Sequence, residues 1–239
     1  MIATSTKTVR ELALELPNST RVFEKLGIDY CCGGARSLEE ACQAADLRMD
    51  DVLDSLEVAA GGVTAPSPEW PTKSLAELID HIVRTHHRFT REEIIRLRAL
   101  FEKVCAAHGR NHAELFAMRE TFTRLAQELG MHLMKEEMVL FPYIVRMEES
   151  ILQNEPVLPA PFGAVQNPVR MMMQEHEGAG QGLREMRECS RDYSIPADAC
   201  LSYRTLYQAL EGFEADLHQH IHLENNLLFP RAIALEPAH

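Results

Sequence analysis

The stretch HLMKEEMVLFP, His132 to Pro142, returns as HIHLENNLLFP, His220 to Pro230, with histidine, glutamate and Leu-Phe-Pro at the same offsets. In a helix, residues four apart lie on one face, whereas residues two apart point roughly 200° away from each other. His132 and Glu136 therefore share a face with Phe122, Leu125, Leu129, Val139 and Leu140, and His220 and Glu224 share one with Phe213, Leu217, Leu227 and Leu228. Both helices must place an imidazole and a carboxylate in an apolar stripe. A buried carboxylate is expensive unless it is paired or bound to a metal, so the fold has to bring these groups a partner. His218 and His222 fall instead with Glu211, Glu214 and Asn225, on what reads as the solvent side.

The rest of the chain supplies the scaffold. Ala, Leu, Glu, Met and Arg dominate, strand-like alternation is absent, and nearly every segment reads as helix. The clearest break is AAGGVTAPSPEWP, from Ala59 to Pro71, so residues 59–72 read as a linker. Residues 1–58 read as a small helical domain, in which Asn18 or Ser19 caps a helix that Gly27 stops, and Ser37 with Glu40 offers a capping box. Ser74 with Glu77 opens a first long helix that runs to about Gly109, and Asn111 with Glu114 opens a second that ends beyond Pro142. After an irregular connection over residues 149–161, Asn167-Pro168 opens a third, and Pro196 a fourth that Pro230 ends. The expectation is an all-α chain whose residues 73–239 form an up-down four-helix bundle.

The third helix places His176 among Met172, Met173, Gly180 and Leu183, and the first offers His86 or His87, both inward by periodicity. Spacing favours His87: 45 residues separate it from His132, close to the 44 between His176 and His220. The chain then reads as two copies of a helical hairpin, each offering one histidine and then His-xxx-Glu. Any one of these histidines alone is an ordinary core residue bonded to a carbonyl. Four imidazoles and two carboxylates together suit two first-row metal ions with bridging carboxylates, and the mixed nitrogen and oxygen donors favour iron or manganese. A structural zinc site needs only four ligands and prefers cysteine.

The pattern His87, His132-xxx-Glu136, His176, His220-xxx-Glu224 resembles the haemerythrin-like domain. Together with DYCCGG, the two Leu-Phe-Pro stretches resemble, more narrowly, the repair-of-iron-centres (RIC) family of ScdA, DnrN and NorA types. The resemblance covers nearly the whole chain in the same domain order. It implies an oxo-bridged non-haem di-iron centre, with Glu136 and Glu224 bridging the irons and His87, His132, His176 and His220 as terminal ligands. Oxygen-carrying haemerythrins generally use five histidines, and a four-histidine set leaves positions open for iron exchange or small-ligand chemistry. The family's N-terminal domain matches at Cys31 and Cys32, a pair thought to handle iron, nitric oxide or redox exchange. Their place beside Gly33 and Gly34, just ahead of a helix start, favours thiolate.

Lys plus Arg number 24 against 36 Asp plus Glu, a net charge of −12, and no basic run occurs, which argues against nucleic acid and anionic membrane as partners. No run approaches the ~18 apolar residues that cross a bilayer, and MIATSTKTVRELALELP lacks the pattern of a secretory signal. Cysteines at 31, 32, 42, 105, 189 and 200 do not resemble a secreted disulfide framework. The expected location is the cytoplasm, with Cys42, Cys105, Cys189 and Cys200 as buried small hydrophobes. An acidic helical surface is compatible with a homodimer. The function the resemblance implies is repair of iron–sulfur clusters damaged by nitrosative and oxidative stress, by iron donation, with damaged iron–sulfur proteins as partners and nitric oxide or oxygen as small ligands. The same ligands would also serve a nitric oxide reductase or a sensor or buffer. The cysteine-bearing domain favours repair, since a simple carrier has no need of it.

Overall fold

The computed structural model describes residues 7–16, 18–31, 33–61 and 70–236; Cys32 and most of the linker lie outside them. Among the described residues the regular structure is helical, with only two isolated β-bridges, Thr8 with Ser37 and Ala160 with Gly163. The N-terminal unit holds α1 (Val9–Glu15), α2 (Ser19–Leu26), α3 (Leu38–Ala44) and α4 (Met49–Gly61). Ser37 and Glu40 form the expected capping box on α3. Gly27 ends α2 in the left-handed region at φ +67°, where a side chain would be strained. Val9, Leu12, Phe23, Leu38 and Val52 form this unit's own core.

Four rods make the bundle. The first is α5 (Leu75–Ile82), a wide π turn (Val83–His87) and α6 (Arg88–His108). The second is α7 (Glu114–Lys135), a π turn (Glu136–Leu140) and α8 (Phe141–Leu152). The third is the uninterrupted α9 (Gln166–Ser190). The fourth is α10 (Leu201–Leu223), a π turn (Glu224–Leu228) and α11 (Phe229–Leu235). Helix α6 packs on α7 and α10, and α7 packs on α9. Ser74 and Glu77 cap α5 as expected.

Several boundaries differ from expectation. Pro230 does not end the fourth rod, which continues to Leu235. Proline lacks an N–H and crowds the carbonyl four residues back; in both Leu-Phe-Pro stretches a π turn lies just before the proline, so the helix passes it. The extra residue also turns Val139 out of the apolar stripe to 47% exposure, while Leu140 stays buried. Helix α7 starts at Glu114 behind Ala113 rather than on an Asn111 cap. Helix α10 starts at Leu201, because Pro196 to Ala199 closes a separate turn. Cys189 and Cys200 are exposed, whereas Cys42 and Cys105 are buried as expected.

The bundle interior is split. One apolar cluster contains Phe101, Phe122, Leu183 and Phe213, and a second contains Ile82, Leu140, Phe141, Met172 and Phe229. Between them, in a polar layer, lie the histidines and glutamates of the repeat, all buried.

The N-terminal unit closes one side of the fourth rod, which corrects the reading of His218, His222, Glu214 and Asn225 as solvent-facing. His222, Glu214 and Asn225 are each 4% exposed. Asn226 Nδ2 donates to the Tyr30 carbonyl at 3.1 Å, Gln219 Nε2 donates to the Tyr30 hydroxyl at 2.8 Å, and His218 Nδ1 pairs with Glu24 at 3.1 Å. Periodicity assumes one buried face per helix, but this rod is buried by the bundle on one side and by the N-terminal unit on the other. Glu211 remains exposed.

Candidate metal centre

Six side chains reach the polar layer from all four rods. Their donor atoms form two sets, each lying within 4.8 Å: His87, His220, Glu136 and Glu224 in one, and His132, His176, Glu136 and Glu224 in the other. Both carboxylates belong to both sets. Glu224 turns Oε1 toward His220 Nε2 at 2.9 Å and Oε2 toward His176 Nε2 at 3.1 Å. Glu136 likewise turns Oε2 toward His87 Nε2 at 3.5 Å and Oε1 toward His132 Nε2 at 3.3 Å. Within the sets the imidazole nitrogens approach to 3.1 Å (His87, His220) and 3.0 Å (His132, His176). Two nitrogens bound side by side to one ion at about 2.1 Å would be separated by about 3.0 Å.

These residues fit cations. Both oxygens of Glu136 are buried with no hydrogen-bond partner among the described residues, a costly arrangement that bound positive charge removes. Burial would push the Glu224 carboxyl up, but His220, His176 and His87 hold it well below the ordinary carboxylate range, so negative charge persists at the centre.

The outer nitrogens fix how three of the rings point. His87 Nδ1 donates to Glu137 at 2.7 Å, and Arg91 pairs with the same carboxylate at 2.8 Å. His132 Nδ1 donates to Glu175 at 2.9 Å, and Lys135 pairs with that carboxylate. His176 Nδ1 donates to Asn225 Oδ1 at 2.8 Å. Such partners set the tautomer and leave Nε2 facing the metal. His220 Nδ1 has no hydrogen-bond partner among the described residues; its ring stacks on His86 at 5.9 Å and 8°. His86 itself pairs with Asp216 at 2.9 Å and belongs to neither donor set.

Glu137, Glu175 and Asn225 had no signal as supporting residues in periodicity, because each sits beside the apolar stripe rather than in it. Asn225 does more than orient a ring. Its Nδ2 donates to the Cys31 carbonyl at 3.4 Å, so one amide joins His176 to the cysteine loop. Cys31 is buried, and its backbone N–H and thiol both donate to Asp29 Oδ1, at 3.1 and 3.4 Å. A cleft of about 510 Å³, lined by Glu128, Lys135, Glu175 and the rings of His132 and His176, opens beside the second set; His87 and His220 do not line it.

Comparison with known proteins accords with this architecture. Residues 78–232 match the Hemerythrin HHE cation binding domain, and residues 5–60 match ScdA_N, a domain of unknown function. A Haemophilus influenzae protein named "Probable iron-sulfur cluster repair protein" is 34% identical, over 93% of this chain and 95% of its own. Iron-sulfur cluster repair protein YtfE of Pectobacterium carotovorum is 34% identical over 93% of this chain and 95% of its own, and YtfE of Escherichia coli O81 is 33% identical over 95% and 96%. The chain therefore belongs to the hemerythrin HHE cation-binding family, with an ScdA_N domain at residues 5–60.

Proposed function

We propose that this protein holds an oxo-bridged non-haem pair of iron ions at His87, His132, Glu136, His176, His220 and Glu224. It donates iron from that store to iron–sulfur proteins damaged by nitrosative or oxidative stress, in the reducing cytoplasm. The observation that carries this reading is that Glu136 and Glu224 each offer one oxygen to either donor set, the arrangement two bridged ions require. Iron so bound supplies Lewis-acid and one-electron chemistry.

Three features favour donation over storage. Each set has four protein donors, short of the six of an octahedral ion. The cleft beside His132 and His176 gives that half of the centre a way out. Asn225 ties His176 to the Cys31 loop, so movement of the thiol-bearing segment reaches a ligand directly. The relatives' name, iron-sulfur cluster repair protein, agrees.

The test is transfer. The protein is loaded with labelled iron and mixed with an enzyme whose cluster has been damaged, and label and activity are followed in the enzyme. Label should move and activity return. Transfer no faster than from free ferrous iron would overturn the proposal, as would nitrous oxide formed over many turnovers with no iron loss, which would make the protein a nitric oxide reductase.

A further inference from the structure

We propose a second cation site at the opposite end of the bundle, where His108, His112 and Asp198 bind a divalent cation of the zinc class. It is independent of the iron centre. The 21 residues of α6, Arg88 to His108, span roughly 30 Å at 1.5 Å per residue.

The three donors are brought together by backbone that is already ordered. His108 is the last residue of α6, and His112 N donates to the His108 carbonyl at 3.0 Å, which places the two imidazoles one helical turn apart. Both rings stand edge-on to Tyr203, at 5.3 and 5.4 Å, on the first turn of α10. Asp198 comes from the turn ahead of that helix. One ligand atom from each of the three lies within 4.8 Å of the others.

His112 is oriented in the manner of the iron ligands. Its Nδ1 donates to Glu114 at 2.8 Å, as His87 does to Glu137 and His132 to Glu175. That bond leaves Nε2 facing Asp198, 3.0 Å from Oδ1 and 3.2 Å from Oδ2. Nitrogen and oxygen donors at about 2.0–2.2 Å from one tetrahedral ion would stand roughly 3.4 Å apart, so a few tenths of an ångström admits the cation. Two imidazoles and one carboxylate are a zinc-type set with its fourth position open. Cys200 caps α10 at the rim. Asp198 is exposed and the histidines half-buried, so this site exchanges with solvent where the iron centre is enclosed.

The competing account is that His112, as imidazolium, only ties Glu114 to Asp198. Protein with iron in the bundle is titrated with Zn²⁺ by calorimetry and with Co²⁺ by visible absorption. The proposal expects one further equivalent per chain, with Co²⁺ showing the intense bands of a tetrahedral set. Uptake should vanish in both His112→Ala and Asp198→Asn, while circular dichroism and bundle iron stay as in the parent. Glu114→Gln should weaken binding about 10- to 100-fold at unchanged stoichiometry. No uptake by the parent protein, or equal uptake by the parent and both variants, would overturn the site.

Discussion

Replacing Glu136 by leucine should destabilise the protein without metal, and more so with it. Glu136 is fully buried, and neither oxygen has a hydrogen-bond partner among the described residues. Partial compensation comes from His132 and His87, 3.3 and 3.5 Å away. Against burial, Glu136 helps to raise the His132 pKa to about 9, so leucine would leave a buried imidazolium without its partner. Removing one member of a buried pair costs about 3–5 kcal/mol. At roughly 2–4 °C per kcal/mol for a domain of this size, the metal-free variant should melt several degrees below the parent. Iron widens the gap. The parent gains the free energy of binding by mass action, whereas the variant has lost a donor common to both sets and gains little. Thermal melts by circular dichroism, in chelator and after iron loading, measure both differences. A variant as stable as the parent in chelator, or more so, would show that imidazolium pairing does not hold the empty centre together. An equal iron-induced rise in both proteins would show that Glu136 is not a shared ligand.

Asn225→Leu should cut iron affinity at the His132–His176 set about 10- to 100-fold by freeing the His176 ring, seen by chelator competition as early loss of half the iron. Burial pushes His222 down to about 4, so it is neutral in the folded protein and charged below its ordinary value of about 6.5 only after unfolding. Metal-free stability should therefore fall by about 3 kcal/mol on this account as pH drops from 6.5 to 4, and denaturation of His222→Gln should lack that component of the slope. Arg187→Met should cost about 3 kcal/mol in urea denaturation, because Glu214, bonded to Arg187 at 2.7 Å and 4% exposed, would be left a buried unpaired charge.

The buried histidine–glutamate layer was legible because helical spacing put charged groups where only apolar ones are cheap, and they appeared twice. His132, Glu136, His220 and Glu224 follow from that contradiction, and the Ser37–Glu40 and Ser74–Glu77 boxes fixed helix starts by local chemistry. Three things were not legible. A π turn adds a residue that a 3.6-residue period cannot see, so Val139 and the end at Pro230 were misread. The packing of a second unit on α10 depends on contacts nearly two hundred positions apart, such as Asn226 with Tyr30, and local pattern carries no trace of them. The repeat grouped His87 with His132 and His176 with His220, while packing of α6 on α10 and α7 on α9 groups them the other way.

That crosswise grouping bears on the iron donation proposed above, and the consequence rests on that proposal. Each donor set takes one imidazole from the first hairpin and one from the second, so an ion in either set acts as a rivet through both halves. Losing the ion on the cleft side would leave the His87–His220 rivet in place and the halves still joined. The chain could thus hand over half its load and stay intact to be refilled.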